Sequence, residues 1–83
     1  MRQVQIEKII EVVNKTENVK IDLNQIDENL VDKGMDSITF IQIIVGLEEM
    51  FDCEIPDSKL LISEMDSVKK IFDVLENLHI ANS

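Results

Sequence analysis

One cysteine, Cys53, and one histidine, His79, are all this chain offers for cross-linking, so neither an internal disulfide nor a structural zinc site can hold it together. The fold has to come from packed helices or strands alone. In 83 residues that requires most of the 13 Ile, 8 Val, 7 Leu and 3 Phe to lie inside. They suffice for a single core, so 1–83 reads as one domain, and a two-domain enzyme is excluded.

The spacing of the aliphatics selects helices. Ile6, Ile9, Ile10 and Val13 recur at three and four, which predicts a first helix over about residues 3–14. A second helix runs from Ser37 to Phe51 behind Asp36 as N-cap. Pro56 closes a breaker run, after which Asp57 or Ser58 can cap a short helix through Leu60, Leu61 and Ile62. Val68, Ile71, Phe72, Leu75 and Leu78, behind Asp66-Ser67, form a last helix whose pattern frays after His79. Between helices one and two, Val19, Ile21, Leu23, Ile26, Leu30 and Val31 mark a long connection that is ordered and packed by its own side chains. Strands are disfavoured, because the β-branched residues are not spaced at two and no hairpin turn signal occurs. The expected architecture is all-α: three main helices, one short helix and a long first loop.

Seventeen acidic against eight basic side chains give a net charge of −9, which repels polyphosphate and anionic lipid and favours a basic protein partner. Neither a membrane-spanning stretch nor a signal peptide is evident, so a cytoplasmic location is expected. Cys53 has acidic neighbours that disfavour a thiolate and reads as a filler. His79, near the end of the last helix, complements its dipole. The adjacent pairs Asp27-Glu28 and Glu48-Glu49 point apart on a helix and read as solvated charge, not as an acid–base pair.

Helix two carries more apolar surface than one face can bury. Phe40, Ile43, Ile44, Leu47 and Phe51 account for the contact with the other helices. Ile38, Ile41 and Val45 form a second stripe, which either meets the long connection or is left for another molecule. At the head of this helix, Gly34 permits a tight backbone approach, Asp36 can cap, and Ser37 lies where free backbone N–H groups and the helix dipole favour an anionic substituent. Asp-Ser alone says nothing: it recurs at Asp57-Ser58 and Asp66-Ser67, each at an expected helix start. What distinguishes Ser37 is Gly34 before it, Ile38 after it and the two-striped helix that follows.

Asp32-Lys33-Gly34-Met35-Asp36-Ser37-Ile38, then Leu47-Glu48-Glu49-Met50-Phe51, then Glu54-Ile55-Pro56, resemble the acyl carrier and peptidyl carrier protein family over almost the whole chain. The resemblance implies a four-helix carrier bundle with 4′-phosphopantetheine on Ser37, added by a phosphopantetheinyl transferase from coenzyme A with magnesium. Gly34 and Asp36 would belong to that attachment motif, Asp36 helping to position the metal and the transferase. The chain itself would hold no catalytic residue and no metal site, and would act as a monomer. Acyl- or amino-acid-activating ligases, synthases or transferases would meet Ile38, Ile41, Val45, Glu48, Glu49 and Met35, with Met35 and Met50 packed or at the edge of that surface. Lys33 stands where the family usually has a buried Leu, leaving Leu30 or Val31 to take over its packing. Thr39 and Gln42 stand where carriers of primary fatty acid synthesis are usually acidic. That pattern points to a free-standing carrier of a specialised acyl, polyketide or nonribosomal peptide pathway. The competing expectation is a carrier-like helical adaptor that binds partners without a prosthetic group; a hydrolase using Ser37 would need a base and an oxyanion hole that the sequence does not supply.

Overall fold

The computed structural model describes residues 4–82 and, within them, the side chains of residues 4–78. Three α-helices make the frame: α1 (Ile6–Lys15), α2 (Ser37–Phe51) and α3 (Val68–Asn82). Helix α1 packs against both of the others. It starts later than its periodicity suggests, because Gln5 is extended, with φ −131° and ψ 135°. Helix α3 runs past His79 to Asn82; the role expected of the His79 side chain lies outside what is described.

The short helix expected after Pro56 is instead two 3-10 turns, Asp57–Lys59 and Ile62–Glu64. Leu61 between them is extended and 53% exposed, so this segment lacks the buried face that would extend a helix.

The core collects Ile9, Val12 and Val13 from α1, Phe40, Ile43, Ile44, Leu47 and Phe51 from α2, and Val68, Ile71 and Leu75 from α3. Val12 was not in the expected stripe of α1. It is buried because α2 presents Gly46 to it: a Cβ at Gly46 would stand 2.8 Å from Val12 Cγ1. A helical glycine costs about 1 kcal/mol against alanine, and here the close crossing of α1 and α2 offsets that cost.

The long connection is as ordered as expected, but its polar residues order it as much as its aliphatics do. Val19, Ile21 and Leu30 are buried, Ile26 is half-buried, and Leu23 and Val31 face solvent. Asn14 brackets the backbone of Ile21, its Oδ1 accepting from Ile21 N at 2.8 Å and its Nδ2 donating to Ile21 O at 2.9 Å. The Lys20 ammonium donates to the carbonyls of Asn14 and Thr16 at the C-terminus of α1, where a cation is favourable. The far end of the connection is joined to the start of α3, Leu30 N donating to Asp66 O at 2.7 Å and Lys69 N to Ile26 O at 3.0 Å. No helix among the described residues is long and apolar enough to cross a membrane.

Candidate functional site

The turn into α2 is built around Gly34 and Leu30. Gly34 ends a 3-10 turn, Val31–Lys33, at φ 116°, a left-handed conformation that side chains disfavour. A Cβ there would also stand 2.7 Å from the backbone oxygen of Asn18. The turn closes on the carbonyl of Leu30, which accepts from Lys33 N and Met35 N, both at 3.0 Å. Leu30 is fully buried, whereas Val31 is 45% exposed, so Leu30 supplies the packing that Lys33 does not. Lys33 instead pairs with Glu28 at 2.7 Å.

Asp36 is the N-cap of α2: its Oδ1 accepts from Thr39 N at 2.8 Å. That N–H, and then the Thr39 hydroxyl, hold the Asp36 carboxyl below its ordinary range, so it is ionised at neutral pH. Ser37 is therefore the first helical residue, exposed, with no hydrogen bond engaging its hydroxyl among the described residues.

The other two Asp-Ser pairs are arranged differently. At α3 the serine caps: Ser67 Oγ accepts from Lys70 N at 3.2 Å, and Ser67 is only 6% exposed. Ser58 lies in the middle of the turn Asp57–Lys59, whose three residues offer no helix N-terminus of any length. Only at α2, among these three, does the aspartate close the helix and leave the following hydroxyl in solvent.

Beyond Ser37, the second apolar stripe is left bare: Ile38, Ile41 and Val45 are 71%, 53% and 47% exposed. The long connection does not cover them. Glu49 is exposed beside them.

Three expectations for this surface change. Met35 is 3% exposed and belongs to the core, since the turn at Gly34 directs it inward, so it offers nothing to an arriving partner. Glu48 is only partly exposed; its Oε2 accepts from Ile55 N at 2.9 Å and so fastens the segment after α2. Thr39 is 1% exposed, with its Oγ1 accepting from Asn18 Nδ2 at 2.9 Å, and cannot stand in for a solvent-facing acid. Gln42 does face solvent.

Asn18 is the residue that sequence reasoning missed. Its carbonyl abuts Gly34 and its amide holds Thr39, so it touches the polypeptide on both sides of Ser37. An asparagine 19 positions upstream carries no local signal of that kind. Cys53 is half-buried, and burial, then Glu48 and Asp52, push its thiol up, away from reactivity. No cluster of His, Cys, Asp or Glu among the described residues could hold a metal ion.

A protein-family profile described as a phosphopantetheine attachment site matches residues 7–75. The chain is 39% identical over 56 residues to the D-alanyl carrier protein of Lactobacillus helveticus, covering 66% of this chain and 71% of that one. It is 34% identical over 74 residues to the acyl carrier protein of Campylobacter hominis, covering 88% and 91%. Against the chloroplastic acyl carrier protein of Brassica napus it is 32% identical over 74 residues, covering 88% of this chain and 54% of that one. No solved structure matches the chain significantly.

Proposed function

Since the chain belongs to the phosphopantetheine attachment family of carrier proteins, and so carries groups instead of transforming them, we propose that Ser37 is its attachment residue. The observation that carries this reading is the register at the head of α2: Asp36 satisfies the Thr39 N–H, and the next hydroxyl stays in solvent. The fit is also electrostatic, because the first turn of α2 offers unpaired N–H groups and the positive end of the dipole to a phosphodiester. When attached, the group supplies a thiol that holds acyl or aminoacyl units as thioesters.

Gly34 and Asp36 hold the turn that presents Ser37 to a phosphopantetheinyl transferase. Ile38, Ile41 and Val45, with Glu49 alongside, are the surface that enzymes loading or removing cargo would dock on. Charge at that surface chiefly speeds and orients encounter, which suits a carrier that must release each partner. Relatives named D-alanyl carrier and acyl carrier proteins support an acyl or aminoacyl cargo. Gln42, exposed where carriers of primary fatty acid synthesis are usually acidic, supports a specialised acyl, polyketide or nonribosomal peptide pathway served by a free-standing carrier.

Intact mass after incubation with a promiscuous phosphopantetheinyl transferase, coenzyme A and magnesium tests the assignment. A pantetheine-sized gain is expected, lost in Ser37→Ala and kept in Ser58→Ala and Ser67→Ala. A wild-type chain that stays unmodified would favour the adaptor.

A further inference from the structure

Between the C-terminal end of α1 and the outer face of α2 lies an open groove of about 790 Å³. One wall is α2, from Ile38 and Thr39 past Gln42, Val45 and Gly46 to Glu49; Lys15, Glu17 and Asn18 lie on the other. Its head is therefore next to Ser37. We propose that this groove is the resting bed of the phosphopantetheine arm, with Ile38 receiving its geminal methyl groups, Gln42 hydrogen-bonding the amide that follows and Val45 meeting the methylenes beyond it. The proposal rests on Ser37 being the attachment residue.

Length is the first argument. From Ser37 to Glu49 the helix rises about 18 Å. The arm has about fourteen bonds between the serine oxygen and sulfur, and at peptide-like advance they span about 16 Å. An arm laid along the groove thus ends beside Gly46 and Glu49, near the groove's far end.

Chemistry is the second. An arm with two amides and a branched apolar segment needs a lining that alternates polar and apolar groups. The amide of Asn18 is committed to Thr39, but Gln42 is exposed and engaged by no other residue among those described. It sits between Ile38 and Val45, four residues after the first and three before the second, so the three share one helical face. A second depression begins only at Val45, two turns further on, and is lined by the carboxylates of Glu48, Glu49, Asp52, Glu54 and Asp57. It has no wall near Ser37.

The test is heteronuclear NMR on an isotopically labelled chain, before and after enzymatic loading, with intact mass recorded on both samples. In the loaded protein, amide shifts are expected at Gln42, Gly46 and Glu49 as well as at Ser37, Ile38 and Thr39. Cross-relaxation is expected from the geminal methyls to the Ile38 side chain and from the methylenes beyond the first amide to Val45. Gln42→Ala removes one hydrogen bond and should lower the ratio of docked to free arm about fivefold. A fully loaded chain whose shifts stop at Thr39 and whose geminal methyls show no cross-relaxation to the protein overturns the bed while leaving Ser37 in place. A mass without the gain overturns the assignment of Ser37 itself.

Discussion

Asn18 Nδ2 donates to Thr39 Oγ1 at 2.9 Å, joining the residue whose carbonyl abuts Gly34 to the first turn of the helix that begins at Ser37. Thr39 is buried and Asn18 is exposed, so the two partners are not equivalent. Asn18→Ala leaves a buried hydroxyl short of a donor and should cost about 1–2 kcal/mol in urea unfolding. Thr39→Val also removes the hydroxyl that helps hold the Asp36 carboxylate, so it should cost at least as much. In the double variant the Asn18→Ala loss should largely vanish; full additivity would mean the contact contributes nothing.

Gly34→Ala meets both a left-handed φ and a backbone oxygen 2.7 Å from the new methyl. A flexible side chain could yield, but the Asn18 carbonyl belongs to the connection itself. The expected loss is about 2 kcal/mol or more by denaturant titration, with slower loading of Ser37. A variant as stable as wild type would show that the turn adopts another conformation.

Because its hydrogen bonds depress the pKa of Asp36 in the folded chain, its contribution to stability is fully present above the ordinary aspartate value, about pH 4. It is lost as pH falls through the depressed folded value. Melting temperature followed from pH 6 down to pH 2 should therefore fall less steeply in Asp36→Asn than in wild type. Identical slopes would place the carboxylate's partner elsewhere.

Ile41 is 53% exposed, so Ile41→Asp should leave helix content and unfolding free energy within about 0.5 kcal/mol of wild type. Transfer to or from partner enzymes should fall at least tenfold, the equivalent of about 1.4 kcal/mol in encounter-complex stability. Unfolding of this variant would mean that the stripe is covered.

Asp52 closes α2 at φ 53° and ψ 56°, a left-handed cap that favours glycine, and adds a carboxylate to the negative end of the helix dipole. Asp52→Gly removes both penalties and should raise stability by about 1 kcal/mol, read as an increase in the urea midpoint. A loss of stability would mean that the carboxylate makes a compensating contact.

Periodicity was a sufficient guide to the three α-helices because burial of Phe40, Ile43, Ile44, Leu47 and Phe51 is a local consequence of spacing at three and four. The bare second stripe could be foreseen as one of two alternatives, since Ile38, Ile41 and Val45 exceed what a single face can bury. What spacing could not reveal were contacts made by polar side chains to residues seven or more positions away. Asn14 on Ile21, Asn18 on Thr39 and Glu48 on Ile55 look in the sequence like punctuation or surface charge. Met35 is packed and not at the edge of the docking surface for a related reason: it follows the left-handed φ at Gly34, a backbone property that a hydrophobicity pattern does not encode. The two turns after Pro56 are not separable in the sequence, because three consecutive apolar residues, Leu60, Leu61 and Ile62, cannot be assigned to a period by themselves.

A one-residue offset between a dipeptide and the helix it introduces has a consequence for any search for modifiable hydroxyls. Where the serine itself shuts the helix, as Ser67 does, an enzyme seeking its oxygen must first unravel a turn; where the preceding acid has already done so, as Asp36 does for Ser37, the oxygen can be approached with the backbone undisturbed. Starting the helix one residue later relative to the same dipeptide hides the hydroxyl without changing the composition of the chain.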